Sequence, residues 1–131
     1  MGLQIDELLR EAEKRHSSDL HLTVGLPATI RVNGGLMPLD TPVLTPEDTA
    51  GLAGQTLPEK QRKIFAERGE VDFAYSIAGV GRFRVNVYRQ RGSTGVAIRV
   101  LNCQIPTVEE LGLPGVVSKL AQAMKGLILV T

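Results

Sequence analysis

The sequence predicts an α+β fold: an antiparallel sheet flanked by helices, followed by a linker and the first helix and strand of a second unit. Three observations predict it. Residues 71–100 alternate apolar and polar side chains in runs broken by glycine-bearing turns, the pattern of an antiparallel meander with one dry face. Ile5, Leu8, Leu9 and Ala12 recur at helical spacing. Gly126-Leu127-Ile128-Leu129-Val130-Thr131 is a continuous apolar run led by glycine, the form of a strand buried on both faces. Such strands commonly run into a glycine-rich phosphate loop, and none follows Thr131. The expectation is a complete small domain and the opening of another.

Composition narrows the class. A chain of 131 residues holds one well-filled domain and little more. Aromatic residues make up only 4%, so the core must be built from Leu, Val, Ile and Ala. A net charge of +1 offers no bulk attraction to nucleic acid, and few aromatics are available to stack on bases, so no nucleic-acid partner is expected. Cys103 is alone, which excludes an internal disulfide framework and fits a reducing compartment. No basic-then-apolar leader and no bilayer-length apolar window is visible, so the cytoplasm is the expected location.

The first helix turns Asp6, Glu7, Glu11, Lys14 and Arg15 to water and ends at His16-Ser17-Ser18. Leu20, Leu22 and Val24 then alternate with Asp19, His21 and Thr23, and Ala28, Ile30 and Val32 with Thr29, Arg31 and Asn33. Asn33-Gly34-Gly35 signals a hairpin. The returning strand at Leu36–Leu39 belongs at an edge, because Pro38 cannot donate to a ladder. Thr45-Pro46-Glu47-Asp48 opens a helix with a cap, a proline and early acids. A second helix runs from Pro58 to Arg68 and stops at Gly69. Val71, Phe73, Tyr75 and Ile77 share a face; Phe83, Val85 and Val87 line the next strand, and Val96, Ile98 and Val100 the last. Residues 102–106 read as a linker. Thr107 to Glu110 has the form of a capping box. A further helix is expected from Pro114, with Val116, Val117, Leu120, Ala121 and Met124 on its apolar face and Gly126 as its stop.

The arginines are the most informative polar group. Arg82, Arg84, Arg89, Arg91 and Arg99 all lie in the meander. Alternation puts Arg82 and Arg84 on one face, and antiparallel pairing can bring Arg99 beside them. Guanidinium groups gathered there repel one another unless an anion or carboxylates lie between them, and their planar forks suit phosphate. Two readings stay open: a solvated face salt-bridged to acids such as Glu70 and Asp72, or an anion site. Asp19 and His21 also share a face, as a hydrogen-bonded acid–imidazole pair or as a structural polar contact. The cysteine and the histidines are too few and wrongly spaced for a metal site. No nucleophile–base set and no G-x-x-x-x-G-K-[ST] loop is present.

Ser18-Asp19-Leu20-His21-Leu22, Gly25-Leu26-Pro27 and Ile30-Arg31-Val32-Asn33-Gly34 closely resemble the opening of the twitching-motility ATPases, the pilus-retraction motors of the PilT family. Lys60-Gln61-Arg62 with Phe65, Val71-Asp72-Phe73, Gly81-Arg82-Phe83-Arg84-Val85-Asn86-Val87, Arg91-Gly92, Arg99, Glu109-Glu110-Leu111-Gly112 and the run 126–131 continue the likeness in order. The resemblance implies a PAS-like N-terminal domain over residues 1–103. Residues 104–131 would be the linker and start of a RecA-like ATPase domain, cut before its phosphate loop. It further implies a homohexamer in which this domain meets its own ATPase domain and neighbouring subunits, using ATP with Mg, and working beside the pilus machinery of the inner membrane. By motif position Arg82, Arg84 and Arg99 would meet the nucleotide phosphates, with Asp19 and His21 as a structural signature. The fragment itself is expected neither to hydrolyse ATP nor to bind it tightly. A different class, a free-standing PAS-like ligand-binding module, would require a cavity lined by large apolar groups.

Overall fold

The structure is a computed structural model and describes residues 2–131. Its order is α1 (Ile5–Lys14), β1 (Asp19–Leu22), β2 (Thr29–Val32), β3 (Gly35–Pro38), α2 (Pro46–Thr56), α3 (Glu59–Arg68), β4 (Glu70–Ile77), β5 (Gly81–Gln90), β6 (Ser93–Leu101) and α4 (Val116–Ala121). The six strands form one antiparallel sheet in the order β3-β2-β1-β6-β5-β4. Two hairpin blocks are joined where β1 pairs with β6, Leu20 opposite Ile98 and Leu22 opposite Val96.

One face of the sheet is dry. Leu20, Leu22, Ile30, Phe83, Val85, Val87, Val96 and Ile98 are buried there against Ile5, Leu8, Leu9 and Ala12 of α1 and Leu52 and Ala53 of α2. The expected stripe of α1 is the stripe that is buried. α2 packs along β6, and α3 lies beside β4 with Ile64 and Phe65 half-buried. The caps behave as their residues predict. The Asp48 N–H donates to Thr45 Oγ1 at 3.2 Å, and the Thr45 N–H donates to Asp48 Oδ2 at 2.9 Å. The bond from the Thr45 N–H, and then one from the Thr45 hydroxyl to the same Oδ2 at 2.8 Å, hold the Asp48 carboxyl below its ordinary pKa. Gly69 closes α3 in the left-handed conformation (φ 73°).

The hairpin at Asn33-Gly34 forms with both residues at positive φ, 48° and 81°. β3 is an edge strand, as Pro38 requires. The Leu39 N–H reaches back to Ala28 O at 2.7 Å, so by alternation the Pro38 nitrogen faces away from β2. It costs the ladder no bond and blunts the free edge.

Tyr75 ties β4 to α1: its hydroxyl donates to Asp6 Oδ1 at 2.8 Å. Burial first, then the bond to Asp6 and its charge, push the Tyr75 pKa above its ordinary value near 10. A raised folded-state pKa means stability that is complete below pH 10 and lost as pH rises through the folded value. Tyr75→Phe is expected to cost about 1 kcal/mol at neutral pH and to flatten the alkaline limb of the unfolding curve. Urea titrations at pH 8 and near pH 11 check this, and an unchanged alkaline slope would contradict it.

Beyond β6 the structure departs from expectation. The Thr107–Glu110 box forms, with the Thr107 N–H donating to Glu110 Oε2 at 2.8 Å and the Glu110 N–H to Thr107 Oγ1 at 3.2 Å. Only a turn follows, because Gly112 takes φ 65° and Pro114 cannot continue a helix. α4 spans six residues rather than the whole of 114–124; Val116 and Leu120 on its apolar face are exposed, and so is Met124 beyond its end. The run 126–131, with the form of a buried strand but expected to lack a partner in this chain, joins no ladder among the described residues, and Leu127 and Val130 are 83% and 95% exposed. A strand buried on both faces needs neighbours on both sides, and this stretch has none among the described residues. No residue after Leu101 contributes to the core.

Candidate functional site

The second face of the sheet carries the polar members of each alternating run. The ladders set them in a row across four strands: Arg31 beside Asp19, Asp19 beside Arg99, and Arg99 beside Arg84. Asp72 lies one step off the end of the row on β4, opposite Asn86. The central pair, Arg99 and Arg84, is like-charged and directly opposed, which destabilises a sheet unless the charges are compensated. Each finds a carboxylate on its outer side. Arg84 makes a two-point fork to Asp72, Nε to Oδ1 and Nη2 to Oδ2, both 3.1 Å. The Asp72 carboxylate raises the Arg84 pKa further, so its charge is permanent. Asp19 is shared: Oδ1 is 3.6 Å from Arg99 Nε, and Oδ2 is 3.7 Å from Arg31 Nε and accepts from Ser18 Oγ at 2.8 Å.

The sequence thus placed Arg82, Arg84, Arg99, Asp19 and His21 on the face they occupy, but not in the partnerships they make. Arg84 pairs with Asp72, one of the two acids expected. Glu70, the other, accepts from Asn86 Nδ2 at 3.1 Å instead. Arg82 stands beside Ser76 and Leu101, exposed and without an ion-pair partner among the described residues. The acid–imidazole pair does not form, because Asp19 is claimed by arginines. His21 lies between Thr29 and Ala97, and its Nε2 is buried with no hydrogen-bond partner. Arg89 points to the other side, its guanidinium 5.2 Å from the centre of the Phe65 ring, and Arg91 occupies the β5–β6 turn at φ 52°. Arg31 was missed as a site residue, although its alternation with Ile30 and Val32 already put it on this face.

A shallow hollow of about 190 Å³ lies between Arg84 and Arg99, lined also by Asp19, Asp72, Asn86, Ala97 and Ile98. Two guanidinium groups face two carboxylates there, so the hollow is locally neutral. The arrangement can grip an anion through charged forks, but the Nε–Nη2 edge of Arg84 is open to one only when it leaves Asp72. Among the described residues no cluster of histidine, cysteine and acids could hold a metal ion, and no helix is long and apolar enough to cross a membrane.

The helix-backed six-stranded sheet is the N-terminal domain architecture of the secretion ATPases. The solved DotB ATPase of Legionella pneumophila superposes with a TM-score of 0.76 over 93% of this chain and 35% of that one, at 21% identity, a likeness of fold alone. A pilus retraction motor PilT solved with bound ADP superposes with a TM-score of 0.77 at 46% identity, over 92% of this chain and 36% of that one. The type IV pilus ATPase PilU of Pseudomonas aeruginosa is 40% identical over 127 residues, which is 97% of this chain and 33% of that protein. The chain is a homologue of the type IV pilus ATPases of the PilT and PilU kind, and it spans about a third of the length of the relatives it matches. No protein-family model matches it.

Proposed function

We propose that this chain is the N-terminal, nucleotide-sensing and assembly part of a hexameric ATP-driven motor for pilus retraction. In this reading residues 1–103 form the PAS-like domain, and residues 104–131 open the RecA-like domain. That division accounts for a core that ends with β6 and for the bare apolar surface of α4 and of the run 127–131, which the rest of a RecA-like sheet would cover. The motor would work in the cytoplasm against the inner-membrane pilus machinery.

The observation that carries the reading is the open sheet face with Arg82, Arg84 and Arg99, in a chain homologous to pilus ATPases. ATP with Mg would supply the triphosphate and the hydrolytic chemistry. Residues of this chain would supply permanent positive charge to its phosphates, Arg82 without rearrangement and the other two after leaving their carboxylates. Charge compensation of this kind favours closure of the domain on nucleotide and stabilises the charge that develops in phosphoryl transfer. No nucleophile, base or phosphate loop lies in the chain, so it contributes contacts and not a catalytic centre.

A ligand-binding PAS-like module, the other reading of the sequence, needs an internal cavity. The space between sheet and helices is filled by Phe83, Leu9, Leu20, Leu22 and Leu52.

The test has two arms. The chain alone should release no phosphate from ATP above a no-protein blank; release that survives repurification overturns the reading. In the full-length motor that this reading describes, Arg82→Gln, Arg84→Gln and Arg99→Gln together should lower ATP turnover by roughly a hundredfold, about the effect of removing one strong charge-stabilising donor. Turnover within a factor of two of the parent would remove the arginines from the mechanism.

A further inference from the structure

We infer that Asp72 and Asp19 are built-in counter-ions that compete with phosphate for Arg84 and Arg99, so that a phosphate takes the Nε–Nη2 edge of Arg84 only by displacing a carboxylate. The inference rests on the reading that this face meets phosphate, and it adds how the face is regulated.

Geometry carries it. Arg84 spends its Nε and Nη2 edge on the two oxygens of Asp72, both at 3.1 Å. That edge is the same fork an arginine offers to two phosphate oxygens, so the two bonds exclude each other. The Arg84–Asp72 pair is open to water, its side chains 65% and 47% exposed, and an open ion pair is held weakly enough for a multiply charged anion to replace it. Asp19 is a firmer counter-ion. Its side chain is 20% exposed, it is fastened by Ser18, and it serves Arg31 and Arg99 together. Displacing it from Arg99 still leaves Arg31 to neutralise it, so the carboxylate is never stranded.

The three arginines are therefore unequal. Arg82 carries no ion pair among the described residues and is ready for an anion. Arg84 must exchange one carboxylate. Arg99 is drawn, at 3.6 Å from its Nε, to a carboxylate that is itself held in place. The carboxylates keep the hollow neutral when no phosphate is present, which prevents the opposed Arg84 and Arg99 from straining the β5–β6 ladder.

Inorganic triphosphate titrated into the chain, followed by NMR of the arginine side-chain Nε–Hε groups, tests the idea. Asp72→Asn is expected to tighten triphosphate binding roughly two- to fivefold, the range an exposed ion pair can supply. Arg84→Gln should weaken it, and the double variant should behave as Arg84→Gln alone, because the carboxylate acts only through that guanidinium. Thermal unfolding of each variant confirms that the exposed substitutions leave the fold intact. If Asp72→Asn binds no more tightly while Arg82→Gln and Arg84→Gln weaken binding, the competition is refuted and the phosphate reading stands. If neither arginine substitution weakens binding, the phosphate reading is refuted and the competition with it.

Discussion

Phe83→Ala is expected to lower the unfolding free energy by about 3–5 kcal/mol. Phe83 is the largest side chain in the fully buried set and sits on β5, with β4 and β6 on either side. Its cross-strand neighbours are Tyr75 and Val100, so truncation opens a cavity that backbone hydrogen-bonded strands on both sides cannot collapse. The loss is a large share of the total stability of about 5–15 kcal/mol usual for a domain. Urea unfolding reads it as a lower midpoint with an unchanged slope. Phe83→Leu, which keeps much of the volume, should lose clearly less. A midpoint shift worth under about 1 kcal/mol for the alanine variant would show that the ring is not the keystone argued here.

Gly95→Ala should cost about 1–3 kcal/mol although it adds one methyl group. Gly95 is buried on β6 opposite Tyr88 of β5, and a Cβ built there would lie 2.6 Å from the ring carbons. Tyr88 thus lies flat across the glycine, covering backbone that a side chain would otherwise shield. The alanine forces the ring off the sheet, because the methyl would occupy the space the ring now fills. The cause is isolated by a double-mutant cycle. In a Tyr88→Ala background the same Gly95→Ala change should become neutral or slightly stabilising, since alanine orders a strand better than glycine does. A cost that persists without the ring would place the clash elsewhere.

Much of the dry side of this domain was legible in the sequence because its signals are local. The stripe of α1, the Thr45–Asp48 cap, the Asn33-Gly34 turn and the alternation of β4, β5 and β6 each need only a few neighbouring residues. The site was half legible for the same reason. Alternation tells which face Arg82, Arg84, Arg99 and Asp19 share, but register between distant strands decides which of them touch. Nothing near Asp19 reveals that β6 pairs with β1, so its place between Arg31 and Arg99 had to come from the fold. The acid–imidazole alternative failed on that point: the Asp19 carboxylate lies between two guanidinium groups and is engaged by them rather than by the His21 ring. The segment after Leu101 was legible in its capping box and not in its extent. A cap can start a helix, but packing sustains one, and α4 has no partner among the described residues to supply it.

The joining of β1 to β6 also bears on how the domain assembles in time. The meander β4–β5–β6 closes through short turns, whereas β1 must find β6 from the far end of the domain, across an intervening hairpin and two helices. Closing a loop that long is paid in chain entropy before any contact rewards it. The meander is therefore the nucleus, and the β1–β2–β3 block docks late. Conservative truncations at Val85 should slow folding, while those at Leu20 should chiefly speed unfolding, a division that chevron analysis reads directly and that equal effects on folding rate would refute. The aspartate row then comes together last: Asp19 reaches Arg99 only when the two blocks have met, so the charge pattern of the open face reports that the domain is complete.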